Sequence, residues 1–235
     1  MAKSYFHSYL YKYKCIKYHI FANFTKNFPR KPTTLVVGVC QELSKPVTME
    51  TEKKYKLTDE YITIDNTKLY RIEAIKNFAD VHKGDKGGFV ESEDNLSQNG
   101  TCWIYDDAKV FGNAKVFGEA EVFENAEVFE NAEVFGEAEV FGEARVYENT
   151  KVFGNANISG YAYIASDSDY IVFKNWWSSG RYFTWTRSNN MWSVGCFFGT
   201  GEELIKKAYK DSELSGREYE RVVKYVESML KDSNQ

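Results

Sequence analysis

The sequence predicts a mainly β chain: a hexapeptide-repeat triangular parallel β-helix, a solenoid, followed by a small α+β C-terminal domain. Three observations predict it. From Ala108 onward nearly the same six residues recur, as AKVFGN, AKVFGE, AEVFEN, AEVFEN, AEVFGE, AEVFGE, ARVYEN and TKVFGN. An aliphatic residue returns every six positions, from Ile104 through Val110, Val116 and Val122 to Ile158 and Ile164. A small residue stands two positions before each, alanine except at Cys102 and Thr150. A fixed short period marks stacked units that bury a shared core. Alternation along a strand turns the small and aliphatic residues inward and leaves Lys, Glu and Phe outward. A period of six fits no helical heptad.

Three hexapeptides, eighteen residues, make one coil. At that spacing Asn113, Asn131 and Asn149 form an asparagine column, and Gly118, Gly136 and Gly154 a glycine column. Lys109, Glu127 and Arg145 alternate in sign up another column, as do Lys115, Glu133 and Lys151. Glu121 over Glu139 is the adverse pair. The regular repeats supply a little over three coils. Val90 and Leu96 keep the six-residue spacing ahead of them and are expected to start an irregular first coil that covers the open end.

The pairing of Val110 with Ala114, and of Val116 with Ala120, resembles the hexapeptide-repeat left-handed β-helix family. Many members of that family are acyltransferases that use a histidine as base and build their sites between trimer subunits. This chain departs there: its histidines are His7, His19 and His82, none within or after the repeats. The stretches KGDKGGFVESEDN, WIYDDAKVFGN and GCFFGTGEE, beginning at Lys83, Trp103 and Gly195, resemble a set of uncharacterised phage and prophage proteins. That resemblance implies a viral origin and no established chemistry.

Residues 1–48 carry seven Lys and one Arg against one Glu, a balance of +7 within a chain of net charge −4. Lys12, Lys14 and Lys17 interrupt any apolar core of a signal peptide. The expectation is that translation starts natively at Met49, with a basic, aromatic arm for nucleic acid or membrane as the alternative. The organisation read from the sequence is 1–48 basic extension, 49–101 hairpin and solenoid cap, 102–166 β-helix, and 167–235 α+β domain. In the cap, strands around 61–64 and 69–72 flank the turn-rich Asp65, Asn66 and Thr67, and 83–88 reads as a glycine-rich loop unlike a phosphate-binding loop. In the last domain, strands are expected at 170–177, 182–187 and 191–198. Two helices follow, opened by capping boxes Thr200/Glu203 and Ser215/Glu218. No apolar run is long enough to span a membrane, and four scattered cysteines signal neither disulfide nor metal site. A cytoplasmic location follows from that cysteine usage.

No catalytic constellation, cofactor or metal site is read from these residues, and the expected function is binding. Twelve acidic against four basic residues between Cys102 and Ala165 make nucleic acid an unsuited partner. Two surfaces are candidates. The outward aromatics Phe111, Phe129 and Tyr147, with Phe117, Phe135 and Phe153, form columns suited to self-association as a dimer or trimer, or to stacking within the chain. In the terminal domain Trp176, Trp177, Arg181, Arg187, Asn189 and Asn190 form a candidate recognition patch for a host protein. The expected role is a phage-encoded scaffold that binds and blocks a host defence protein. The alternatives are a sponge for a nucleotide signal at subunit interfaces and an acyltransferase-like enzyme.

Overall fold

The computed structural model describes residues 52–232. The expectations about residues 1–48 and Met49 lie outside them. Three strands open the described chain, β1 (Tyr55–Ile64), β2 (Thr67–Ala74) and β3 (Lys86–Val90). Eleven two-residue strands follow, β4 to β14, from Trp103–Ile104 to Tyr163–Ile164. The chain then forms β15 (Tyr170–Lys174), β16 (Tyr182–Thr186), β17 (Met191–Val194) and β18 (Phe197–Gly199), and ends in helices α1 (Gly201–Asp211) and α2 (Glu213–Asp232).

The repeats wind into a solenoid with three flat sides. One side is β3-β5-β8-β11-β14, extended below by β2 and β1; the second is β4-β7-β10-β13; the third is β6-β9-β12 with Leu96 bridged to Val116 beneath. Every pairing on the three sides is parallel and joins residues eighteen apart within the repeats, as Val110 to Val128 and Val122 to Val140. Counting the first coil of Val90, Leu96 and Ile104, the solenoid has roughly four turns. Its interior is the predicted column set, with the repeat alanines and valines buried from Ala108 to Ile164. The corner residues take left-handed backbone, glycine at 112, 118, 136, 142 and 154 and glutamate at 124, 130 and 148. Gly142 shows why glycine suits the corner. A Cβ there would lie 2.9 Å from the backbone nitrogen of Gly160 one coil above, closer than real contacts allow.

The outward columns also form. Asn113 Nδ2 donates to Asn131 Oδ1 at 3.0 Å, and Asn131 Nδ2 to Asn149 Oδ1 at 3.1 Å. Glu127 lies between Lys109 at 3.5 Å and Arg145 at 3.1 Å. The second charge column is only half made: Lys151 meets Glu133 at 3.1 Å, and no ion pair joins Glu133 to Lys115 among the described residues.

Each turn is bonded to the next by backbone hydrogen bonds, as Lys109 N–H to the Ala126 carbonyl and Phe111 N–H to the Val128 carbonyl. The outermost turns therefore present N–H and C=O groups that no further turn matches. Side chains meet several of these groups. At the start, the amide of Asn95, in the first turn, donates to the carbonyls of Gly112 and Ala114 in the second at 3.0 and 2.9 Å. The buried Lys54 ammonium donates to the Cys102 carbonyl at 2.6 Å, with Trp103, Tyr55 and Phe78 packed around it. At the far end one oxygen serves each side. Asp167 Oδ1 accepts from Lys151 N at 2.7 Å, Thr184 Oγ1 from Asn157 N at 2.9 Å, and Ser188 Oγ from Tyr163 N at 2.8 Å.

Those acceptors come from the terminal module. One face of its antiparallel sheet, with Tyr170, Thr184, Ser193 and Phe198, lies on the last coil; Phe198 covers Gly160 and Tyr170 donates to the Lys151 carbonyl. The other face, with Phe183, Trp185 and Trp192, packs under the helices against Leu204, Ala208, Tyr219, Val223 and Val226.

Four expectations need correction. The terminal sheet has four strands, because Gly195 in left-handed backbone turns the chain between β17 and β18. The second helix is capped by Ser212, whose Oγ accepts from the Ser215 amide at 3.0 Å; Ser215 lies inside the helix. The hairpin turn needs only Asp65 and Asn66, both at positive φ. The second half of the glycine-rich segment is strand: Gly87 and Gly88 lie in β3, where a Cβ would come within 2.4 Å of the Ile104 and Ala108 carbonyls.

Removing the three end acceptors together, as Asp167→Ala, Thr184→Val and Ser188→Ala, is expected to cost about 1 kcal/mol for each unmatched N–H. Amide hydrogen exchange at Lys151, Asn157 and Tyr163 is expected to accelerate before that of the inner coils.

Candidate functional site

The sequence patch is divided by the fold. Trp176 and Arg181 flank the turn between β15 and β16, and Arg187, Asn189 and Asn190 follow the other end of β16. Six residues of extended strand separate the two arginines by roughly 20 Å. Trp176 is 79% exposed. Trp177 instead wedges into the module, edge-on to Tyr219 at 5.2 Å and beside Phe183 at 6.3 Å. The two asparagines are structural. Asn189 accepts from Thr186 Oγ1 and donates to the Ser159 carbonyl, and Asn190 Oδ1 accepts from Trp185 Nε1 at 2.9 Å while holding positive φ. At the β15–β16 turn the exposed side chains are Trp176, Arg181 and the neighbouring Tyr182, whose ring lies under Lys174 Nζ.

The aromatic columns stack within the chain. Phe111, Phe129 and Tyr147 are spaced 5.2 Å apart with planes within 7°. Phe117, Phe135 and Phe153 follow at 4.8 and 5.4 Å, and Phe123 with Phe141 at 4.6 Å. Each stacked pair adds about 0.5–1.5 kcal/mol beyond its buried area. The rings are half-buried, except that Phe153 at the top of its column is 50% exposed.

Arg181 stands between two clefts that sequence reasoning did not find. The first, about 480 Å³, lies between the coil and the module; Glu119, Glu121, Glu137 and Glu139 face Arg181 and Tyr182 across it. Burial raises the Glu121 carboxyl above its ordinary range, Glu139 and Asp80 raise it further, and the Tyr105 hydroxyl opposes them. Burial likewise raises Glu139, against a hydrogen bond from Asn157 Nδ2 at 2.8 Å. The second cleft, about 390 Å³, lies between the module's sheet and α1, with Asn175, Ser179, Arg181, Lys207 and Tyr219 in its walls. The signal for the first was present in the Glu121/Glu139 column; the second joins residues too far apart in sequence to be seen as a pattern.

No family model matches the chain. A protein of Escherichia coli (strain K12) described as the uncharacterized acetyltransferase YdcK is 42% identical over 69 residues, 26% of this chain and 21% of the relative. The chain thus matches about a fifth of the relative's length. The solenoid and this partial match fit a hexapeptide-repeat family. Viral origin is an inference from the sequence resemblance. Among the described residues no helix is long and apolar enough to cross a membrane, and no cluster of three metal-ligating side chains occurs. The sole described histidine, His82, is exposed with Asp85 Oδ2 at 3.7 Å.

The raised carboxylates have a definite sign. The folded chain holds protons on Glu121 and Glu139 that the unfolded chain has released, so their contribution to stability falls as pH rises from the ordinary carboxylate range through the raised folded values. Glu121→Gln is therefore expected to raise the unfolding midpoint at neutral pH, by the roughly 0.2–1 kcal/mol of a cross-strand like-charge pair. It should also flatten the acid side of the stability profile, read by denaturant titration across pH.

Proposed function

We propose that the chain is a non-enzymatic binding protein in which the solenoid is a rigid scaffold and the terminal module carries the recognition surface. One observation carries the reading: Trp176 stands 79% exposed on a module hydrogen-bonded to all three sides of the last coil. A large aromatic held on a rigid frame beside Arg181 has the composition of an interface hot spot and loses little entropy on binding. The partner in this proposal is a host protein, a defence protein blocked in the host cytoplasm by a phage-encoded chain; the resemblance to phage and prophage sequences supports that step. Self-association as a dimer or trimer is part of the same proposal. The exposed Phe153 end of the Phe117–Phe135 column supports it.

The second reading is acyl transfer, favoured by the name of the E. coli relative. It requires a base, and His82 is the one described histidine. Turnover of an acyl donor that is lost in His82→Ala would replace the binding reading with this one.

Trp176→Ala/Arg181→Ala is expected to lose the partner captured by the wild type from infected host cells, with unchanged thermal stability; equal recovery of the same partner would remove the patch. Phe117→Ser/Phe135→Ser is expected to lower the particle mass measured by light scattering to that of one chain. An unchanged multimer mass would show that this column is not the contact.

A further inference from the structure

The cleft between the terminal sheet and α1 contains donors without acceptors among the described residues. Its back wall is Asn175, 2% exposed, whose Oδ1 accepts from the Ser178 amide and hydroxyl at 3.0 and 3.1 Å. The amide nitrogen faces Ser178 Oγ at 2.8 Å, the Tyr219 hydroxyl at 3.2 Å and Ser179 Oγ at 3.3 Å. The lone pair of an amide nitrogen is delocalised and does not accept, so in that contact Tyr219 is the acceptor, and no acceptor for its own O–H proton lies within hydrogen-bond distance among the described residues. Tyr219 is 7% exposed and lines the cleft, so its O–H proton is free to donate to a group bound there. Ser179 Oγ accepts a second time, from the Arg181 amide at 3.4 Å, which turns its proton outward as well. Arg181 and Lys207, on the same walls, have no ion pair among the described residues; Lys207 Nζ only overlies the Phe197 ring at 5.1 Å. Asp211 is the single carboxylate in the lining.

The floor is apolar, with Val194, Phe197, Leu204 and Ala208. The volume of about 390 Å³ is that of a small-molecule site. Two hydroxyl donors and two cations converging over an apolar floor call for a ligand rich in acceptors and negatively charged, carried on a short apolar body. The geometry points to a binding site for a small organic oxyanion, a carboxylate or a phosphate monoester, with Tyr219, Ser179, Arg181 and Lys207 as its donors. The site shares Arg181 with the proposed recognition surface, and Tyr219, Ser179 and Lys207 belong to it alone, so it stands whether or not that surface binds a protein.

The test is a titration of the intact chain with benzoate, phenyl phosphate and the neutral benzyl alcohol, followed by amide and indole shifts in NMR spectra. The expected result is a saturable shift at Ser179, Lys207 and Tyr219 with one or both anions, and none with the alcohol. The tighter anion identifies the head group. Tyr219→Phe keeps the ring packed against Trp177 and Phe183, and Lys207→Gln changes an exposed side chain; each is expected to weaken binding about tenfold. Trp176→Ala is expected to leave it unchanged. Absence of a saturable shift with either anion would overturn the assignment. Equal shifts with benzyl alcohol, or affinities unchanged in both Tyr219→Phe and Lys207→Gln, would do the same.

Discussion

The parallel backbone ladder between residues eighteen apart is what the rest of this structure depends on. It closes only when an inward aliphatic residue and an inward small residue recur every six positions. Those residues set the distance at which one turn can lie on the next. Once the ladder is in place, each outward column is determined, because residues eighteen apart are delivered to the same side and stacked at the strand spacing. The asparagine ladder, the Lys109–Glu127–Arg145 column and the stacked phenyl rings are consequences of this register. So is the unfavourable neighbourhood of Glu121 and Glu139. The sequence accepts that repulsion on one side while placing charges of opposite sign on another.

The same ladder makes the ends a problem, because the outermost turns have backbone groups with no neighbouring turn to match them. The Lys54 ammonium meets the Cys102 carbonyl of the first turn, and the Asn95 amide meets carbonyls of the second. At the far end Asp167, Thr184 and Ser188 accept from N–H groups of the last turn while Tyr170 donates to its Lys151 carbonyl. An edge matched in this way cannot template a further strand. It also fixes the terminal module to the coil, and the functional surfaces inherit that fixity. Arg181 stands between an acidic cleft toward the solenoid and a donor-rich cleft toward α1 because the module is held by all three sides.

What could be read from the sequence divides along the same lines. The coil, its interior, the eighteen-residue columns and the irregular first turn were legible because periodicity repeats the same information many times. The first helix was legible too, since Thr200 and Glu203 form their capping box within four residues. The end caps were not: a single Asp167 or Ser188 carries no pattern, and its partner is defined only once the chain has coiled. Ser215 looked like a cap because the motif was local, but Ser212 begins the helix one residue after α1 ends. The residues grouped as a patch in the sequence are divided by the fold, since Arg181 and Arg187 flank opposite ends of β16 and Trp177 packs into the module. The oxyanion cleft was invisible because Asn175 and Tyr219, forty-four residues apart, meet only in the folded module.

The most direct test of the register is to remove one turn. Deleting residues 109–126 takes out one full eighteen-residue coil, leaves β3 to pair with β8, and gives the Asn95 amide the Glu130 and Ala132 carbonyls in place of those of Gly112 and Ala114. Near-ultraviolet circular dichroism through a thermal melt reads the tryptophans of the terminal module against the unfolding of the coil. The account predicts a single cooperative transition, with the aromatic signal of the module retained and only a modest fall in midpoint, as nearest-neighbour stacking requires. Loss of that aromatic signal at low temperature, or a non-cooperative melt, would contradict it.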